Sequence, residues 1–185
     1  MRIAVTLPTY NEVDNLRDVV TKILALPYDA QIVIVDDNSP DGTGELADQL
    51  AAEYGGRIHV IHRVNERGRG SAGIAAFKRC LELDVDRIIE MDADLSHDPG
   101  EIPLLVEASD GYDLIVGSRY IPGGREVKRP LTRTLLSWFA NNYLRLVLGL
   151  RLRDCSSGFK CYKKAALTAL DLDMLQSNGP SIGPE

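Results

Sequence analysis

Asp92 and Asp94 stand two residues apart where an apolar run ends, in "DRIIEMDADLSHDP" (Asp86 to Pro99). Alternate side chains of an extended chain share a face, so the two carboxylates point the same way. Two such anions repel unless a cation sits between them, and hard oxygen ligands suit Mg²⁺ or Mn²⁺. Mg²⁺ keeps few protein carboxylates and fills its other positions with water and phosphate oxygens, so this pair could hold a metal that in turn holds a diphosphate. A pair of exposed turn acids, with Asp94 capping a helix, is the competing reading of an isolated Asp-x-Asp.

Other apolar runs also end in reactive side chains: "PTYNE" after the first, "DDNSPDG" after the second and "SRY" after the fifth. Tyr10 could stack on a base, Glu12 could bind a nucleotide or sit in a helix's first turn, and Asp37 could accept hydrogen bonds from a base or ribose. Asp36 reads as a turn cap. Arg119 and Arg133 flank a basic loop and could pair with phosphates. His97 reads as a solvent-facing turn residue. No Ser/His/Asp or Cys/His arrangement suggests covalent catalysis.

The runs themselves, Arg2 to Pro8, Gln31 to Asp37, Arg57 to His62, Asp86 to Asp92 and Tyr112 to Ser118, have strand length and aliphatic or β-branched content. Helical patterns over Glu12 to Leu26, Asp41 to Tyr54, Gly70 to Leu83 and Pro99 to Ala108 alternate with them. This order predicts an α/β chain with a mainly parallel, Rossmann-like sheet covered on both faces. Ligands of such sheets bind beyond the carboxyl ends of the strands, which gathers the residues above into one pocket. "GRGSAG" (Gly68 to Gly73) matches G-x-G-x-x-G, but it follows the third run rather than the first. It reads as a tight basic loop near the ligand or a plain helix start rather than a dinucleotide site.

The 185 residues fit one domain, read as Met1 to Ser118 followed by a second half, residues 119–185. The first part carries a net −12 and Arg119 to Lys164 a net +9, a split expected where one segment meets an anion or an anionic surface. A helical pattern near Leu135 to Val147 could lie on a core or a membrane surface, not cross a bilayer. "MRIAVTL" has no signal-peptide layout, so a soluble, cytoplasmic protein is expected. The three cysteines, Cys80, Cys155 and Cys161, read as reduced thiols.

"LPTYNE", "IVIVDDNSPDGT", "GSAGI", "MDADLSHDP", "VGSRY", "RTLLSWFAN" and "DCSSGFKCY" occur in one order along the chain. That ordered set resembles glycosyltransferase family 2, in particular its polyprenyl-phosphate (dolichol-phosphate) mannose synthase branch, over nearly the whole chain. The resemblance implies a GT-A fold, a nucleotide-sugar donor, usually GDP-mannose, a divalent metal (Mg²⁺ or Mn²⁺) and a polyprenyl phosphate acceptor at the cytoplasmic membrane face. Carried over, Pro8, Tyr10, Glu12, Val35 and Asp37 would hold the nucleotide. Asp92 and Asp94 would bind metal and diphosphate, with Ser96 at the position of a third ligand, where the family often has glutamine. Arg119, Arg133 and Ser137 would grip phosphates of donor and acceptor. Inverting transfer of mannose follows as the expected reaction. UDP-glucose as donor, and a nucleotide-sugar binding subunit without turnover, are the alternatives. Relatives continue beyond "SNG", so a membrane-anchoring subunit or a further C-terminal segment is an expected partner; nucleic acid is not.

Overall fold

The computed structural model describes residues 1–121 and 154–175, and between them the isolated positions Gly124, Tyr143, Leu146, Val147 and Gly149. The basic loop, the helical pattern that follows it, Arg133 and Ser137 therefore lie outside the described residues, those isolated positions apart.

Six strands form one sheet in the order β3-β2-β1-β4-β6-β5. Strands β1 (Arg2–Thr9), β2 (Asp29–Asp36), β3 (Ile58–His62) and β4 (Arg87–Glu90) pair in parallel. Helices α1 (Val13–Leu24), α2 (Thr43–Glu53) and α3 (Arg69–Glu82) are the crossovers between them. Every one of these elements was predicted, with ends shifted by a few residues. A 3₁₀ turn at Pro99–Glu101 then leads into α4 (Ile102–Ala108), and β5 (Leu114–Val116) follows. Asp98 caps that turn by accepting from the Gly100 N–H at 2.9 Å, a role that the sequence offered to Asp94.

Each central strand is apolar on both sides because both sides are covered. Ile3, Val5, Leu7, Ile32, Ile34 and Ile89 pack with α1, α2 and α4. Ala4, Val33, Val35 and Ile88 face α3 and α5 (Lys164–Thr168) instead. Cys80, Cys155 and Cys161 are buried free thiols.

Two described elements are missing from the sequence reading: α5, and β6 (Lys160–Lys163), which pairs antiparallel with both β4 and β5. "KCYK" is four residues long with a lysine at each end, and gives no alternation to read. Lys160 is nevertheless 3% exposed, because its ammonium reaches Glu90 at 3.3 Å while Tyr162 donates to the same carboxylate oxygen at 3.1 Å. Burial, with the Glu90 charge beside it, pushes the Tyr162 phenol well above its usual range and fixes it as a donor. Removing one partner of a buried pair leaves an uncompensated charge. Lys160→Met is therefore expected to lower the unfolding free energy by about 3 kcal/mol in urea denaturation.

Candidate active site

Parallel strands β1, β2 and β4 end on one edge of the sheet, and the loops that follow them enclose a cleft of about 280 Å³. Pro8, Thr9, Tyr10 and Glu12 line it from β1, Asp37 from β2, Arg69 and Ala72 from α3, and Asp92, Ala93 and Asp94 from β4. The loops are tied to one another before any ligand is considered. Asp41 accepts from the Val13 N–H at 3.2 Å and from Thr43, whose hydroxyl accepts from the Glu12 N–H at 2.9 Å. Asp36, buried, accepts from the Ser39 N–H at 3.0 Å and from the Thr9 hydroxyl at 3.2 Å, which is the turn-capping role read from the sequence.

Asp37 is held on both oxygens. The Gly68 N–H donates to one at 2.9 Å, and the buried Arg63 guanidinium lies 3.3 Å from the other and donates to Ser71 at 2.8 Å. Gly68 meets this geometry at φ 131°, a conformation L side chains rarely adopt. Tyr10 is 45% exposed with the Arg67 guanidinium 5.2 Å above its ring, so an aromatic face and a cation stand together at the cleft mouth.

Asp92 and Asp94 both reach the cleft, but not along an extended strand. β4 ends at Glu90, and the chain turns through Leu95 at φ 60°. Burial pushes the Asp92 carboxyl up to about 6, against the neighbouring Arg69, which pairs with it; the charges of Asp94, Glu90 and Glu12 add to the rise. Burial also acts to raise Asp94, but hydrogen bonds from Ser96, its N–H at 3.0 Å among them, outweigh it and hold that carboxyl below its ordinary value. Ser96 is thus engaged with Asp94.

His97, expected in solvent, is instead a structural part of the turn. Its ring stacks on Phe159 with centroids 5.1 Å apart, and its Nδ1 accepts from the Asp92 N–H at 3.0 Å. Burial and the Arg69 charge push the imidazole down to about 4, so near neutral pH it is uncharged. An accepting Nδ1 places the remaining proton on Nε2.

The donor set at Asp92 and Asp94 is all oxygen, and the two neighbouring carboxylates, one half-buried and one exposed, open onto the same cleft. Both properties fit a hard divalent cation, which takes only one or two carboxylates from a protein when phosphates and water complete its shell. Among the described residues no group of three or more His, Cys, Asp or Glu forms a closed cage.

A family model for glycosyl transferase family 2 matches residues 4–170. The chain belongs to glycosyltransferase family 2. Its sequence is 42% identical over 179 residues to an undecaprenyl-phosphate mannosyltransferase of Micrococcus luteus, covering 97% of this chain and 73% of that protein. It is also 42% identical to a polyprenol monophosphomannose synthase of Mycolicibacterium smegmatis, covering 96% and 68%. Its backbone matches a mannosyltransferase from Pyrobaculum calidifontis, solved with GDP-Man and Mn²⁺, at TM-score 0.62 and 19% identity, over 96% of this chain and 49% of that one. The fold of this family 2 chain is GT-A, as the resemblance implied.

The residues carried over from the family divide into groups. Pro8, Tyr10, Glu12, Asp37, Asp92 and Asp94 share the cleft. Val35 lies below it with its side chain in the core. Arg119 is bound elsewhere. Its Nε and Nη2 donate to the two oxygens of Asp154 at 2.8 and 3.0 Å, and Nη2 also donates to Ser156 at 2.9 Å. Sequence reasoning missed Asp154, Arg63 and Arg69 as parts of this region. The last carried a signal, a basic residue between two glycines at a helix start.

Burial would raise the Asp154 carboxyl, but the Arg119 hydrogen bonds and charge outweigh it and depress it. A depressed carboxyl stabilises the fold above its unfolded value, about 3.9, and loses that contribution as pH falls through the folded value. Asp154→Asn is expected to cost about 2 kcal/mol at neutral pH. Urea denaturation as a function of pH should show this difference closing only below about pH 4.

Proposed function

We propose that this chain transfers mannose from GDP-mannose to a polyprenyl monophosphate with inversion at the anomeric carbon. The observation that carries the reading is the acidic cleft at the carboxyl edge of β1, β2 and β4, in a family 2 chain 42% identical to a polyprenyl-phosphate mannosyltransferase over 97% of its length. Tyr10, Glu12, Asp37 and the Pro8 and Val35 backbone surround the nucleoside. Asp92 and Asp94, with Ser96 beside them, hold Mg²⁺ or Mn²⁺ on the diphosphate, where a divalent ion supplies charge stabilisation to the leaving nucleoside diphosphate. Arg119, oriented by Asp154, works with Arg133 and Ser137 on the phosphates of donor and acceptor.

This assignment explains why no general base is needed. A sugar hydroxyl must lose a proton to attack, whereas a phosphate monoester is largely ionised near neutral pH, its second pKa being about 6. The protein's task is then to align the acceptor oxygen with the anomeric carbon and to exclude water. Residues 1–118 form the donor half and residues 119–185 the acceptor half, whose basic segment faces the lipid phosphate and an anionic bilayer surface. Among the described residues no helix is long and apolar enough to cross a membrane. The proposed location is peripheral, at the cytoplasmic face. A membrane-bound partner or a further C-terminal segment completes the acceptor wall.

The test incubates the protein and Mn²⁺ or Mg²⁺ with radiolabelled GDP-mannose or UDP-glucose and a short polyprenyl phosphate, and counts label in the organic phase. Label from GDP-mannose that disappears with EDTA and in Asp94→Ala is expected. Lipid label from UDP-glucose alone would reassign the donor. Absence of label from either, with donor binding intact by calorimetry, would make the chain a binding subunit.

A further inference from the structure

Arg69 was assigned no role by the sequence reading, yet the cleft is shaped around its guanidinium. It is the first residue of α3, directly after Gly68, whose N–H is spent on Asp37. From there its side chain crosses to β4 and pairs with Asp92 Oδ1. A third of the side chain is exposed, and it lines the same cleft as Glu12, Asp37 and Asp94. The opposite wall leaves room for it. Gly158, just before β6, has no Cβ, and one built there would sit 3.2 Å from the Arg69 Cζ and closer still to Nη2. No unusual backbone angle requires glycine at that position, so the space is for the guanidinium.

Asp92 is thereby claimed twice, by a resident guanidinium and, under the proposed function, by a divalent ion. A cation and a metal on one carboxylate oppose each other. A diphosphate changes the balance, because its oxygens accept the planar fork of an arginine bidentately. We infer that Arg69 is an exchangeable cation of the donor site: it holds Asp92 when no divalent ion is bound and transfers to the donor's diphosphate when metal and nucleotide enter together. Arg69 then disfavours metal alone and favours metal with nucleoside diphosphate, which couples the two ligands in one site. This inference rests on the donor-site reading above and adds the residue that links its two ligands.

The two halves of the inference have opposite signs, and a residue that merely props the fold would give one sign. Mn²⁺ binding is read from the electron paramagnetic resonance signal of free Mn²⁺, without nucleotide. Binding of GDP and of UDP is read by calorimetry at saturating Mn²⁺. Arg69→Gln is expected to bind Mn²⁺ several-fold more tightly and GDP about tenfold more weakly than wild type. Arg69→Lys keeps the charge but not the fork, and should leave Mn²⁺ binding near wild type while weakening GDP. Gly158→Ala, whose new methyl displaces only the end of a flexible side chain, should move Mn²⁺ affinity in the same direction as Arg69→Gln. An Arg69→Gln protein that binds Mn²⁺ no more tightly than wild type, or binds GDP equally well, overturns the inference. A wild-type chain that binds Mn²⁺ but neither nucleotide overturns the donor-site reading itself.

Discussion

Carboxylates gathered at the end of a buried parallel sheet repel one another and lose hydration, and the rest of this structure is arranged around that cost. Glu90, Asp92, Asp94, Glu12, Asp36 and Asp37 all sit at or next to the carboxyl edge of three adjacent strands. Each is held by a different group. Lys160 and Tyr162 answer Glu90, Arg69 answers Asp92, Ser96 answers Asp94, and Arg63 with the Gly68 N–H answers Asp37. Asn15 donates to Glu12, and Ser39 and Thr9 donate to Asp36. Asp92 keeps its arginine partner, yet burial and the neighbouring acids push its carboxyl up to about 6. Two carboxylates side by side on one cleft are the oxygen donor set that suits a hard cation.

The same constraint explains why an antiparallel strand lies within an otherwise parallel sheet. β6 brings Lys160 and Tyr162 against Glu90 from the far end of the chain, and the turn before it brings Phe159 against His97 and Gly158 against Arg69. "DCSSGFKCY" thus supports the Asp92 turn from below. Asp154, in the same stretch, orients Arg119. Lys160 and Tyr162 of this late segment pair with Glu90, so a buried charge pair joins it to the acids at the strand ends.

His97 shows why an environment must be seen before a side chain is assigned chemistry. Beside two acids it could be taken for a proton donor or a metal ligand. Stacked on Phe159 and accepting from the Asp92 N–H, it is neutral and has one nitrogen already committed. Its contribution is to fix the backbone from which Asp92 projects.

Alternation of short apolar runs with helical periods determined the α/β class, the five predicted strands and the four helical segments, because a sheet covered on both faces leaves that pattern in any sequence that forms it. The position of acids and aromatics after those runs located the cleft that they line, since parallel strands must end on a common edge. Tertiary structure alone decided the partners: β6 is too short and too charged to read, and the pairs Arg69–Asp92, Arg119–Asp154 and Lys160–Glu90 join residues 23, 35 and 70 positions apart. No local rule links such positions, because their meeting depends on the order of strands in the sheet, which crossovers and packing set. A sequence states which charges a chain carries; only the folded chain states which of them neutralise one another.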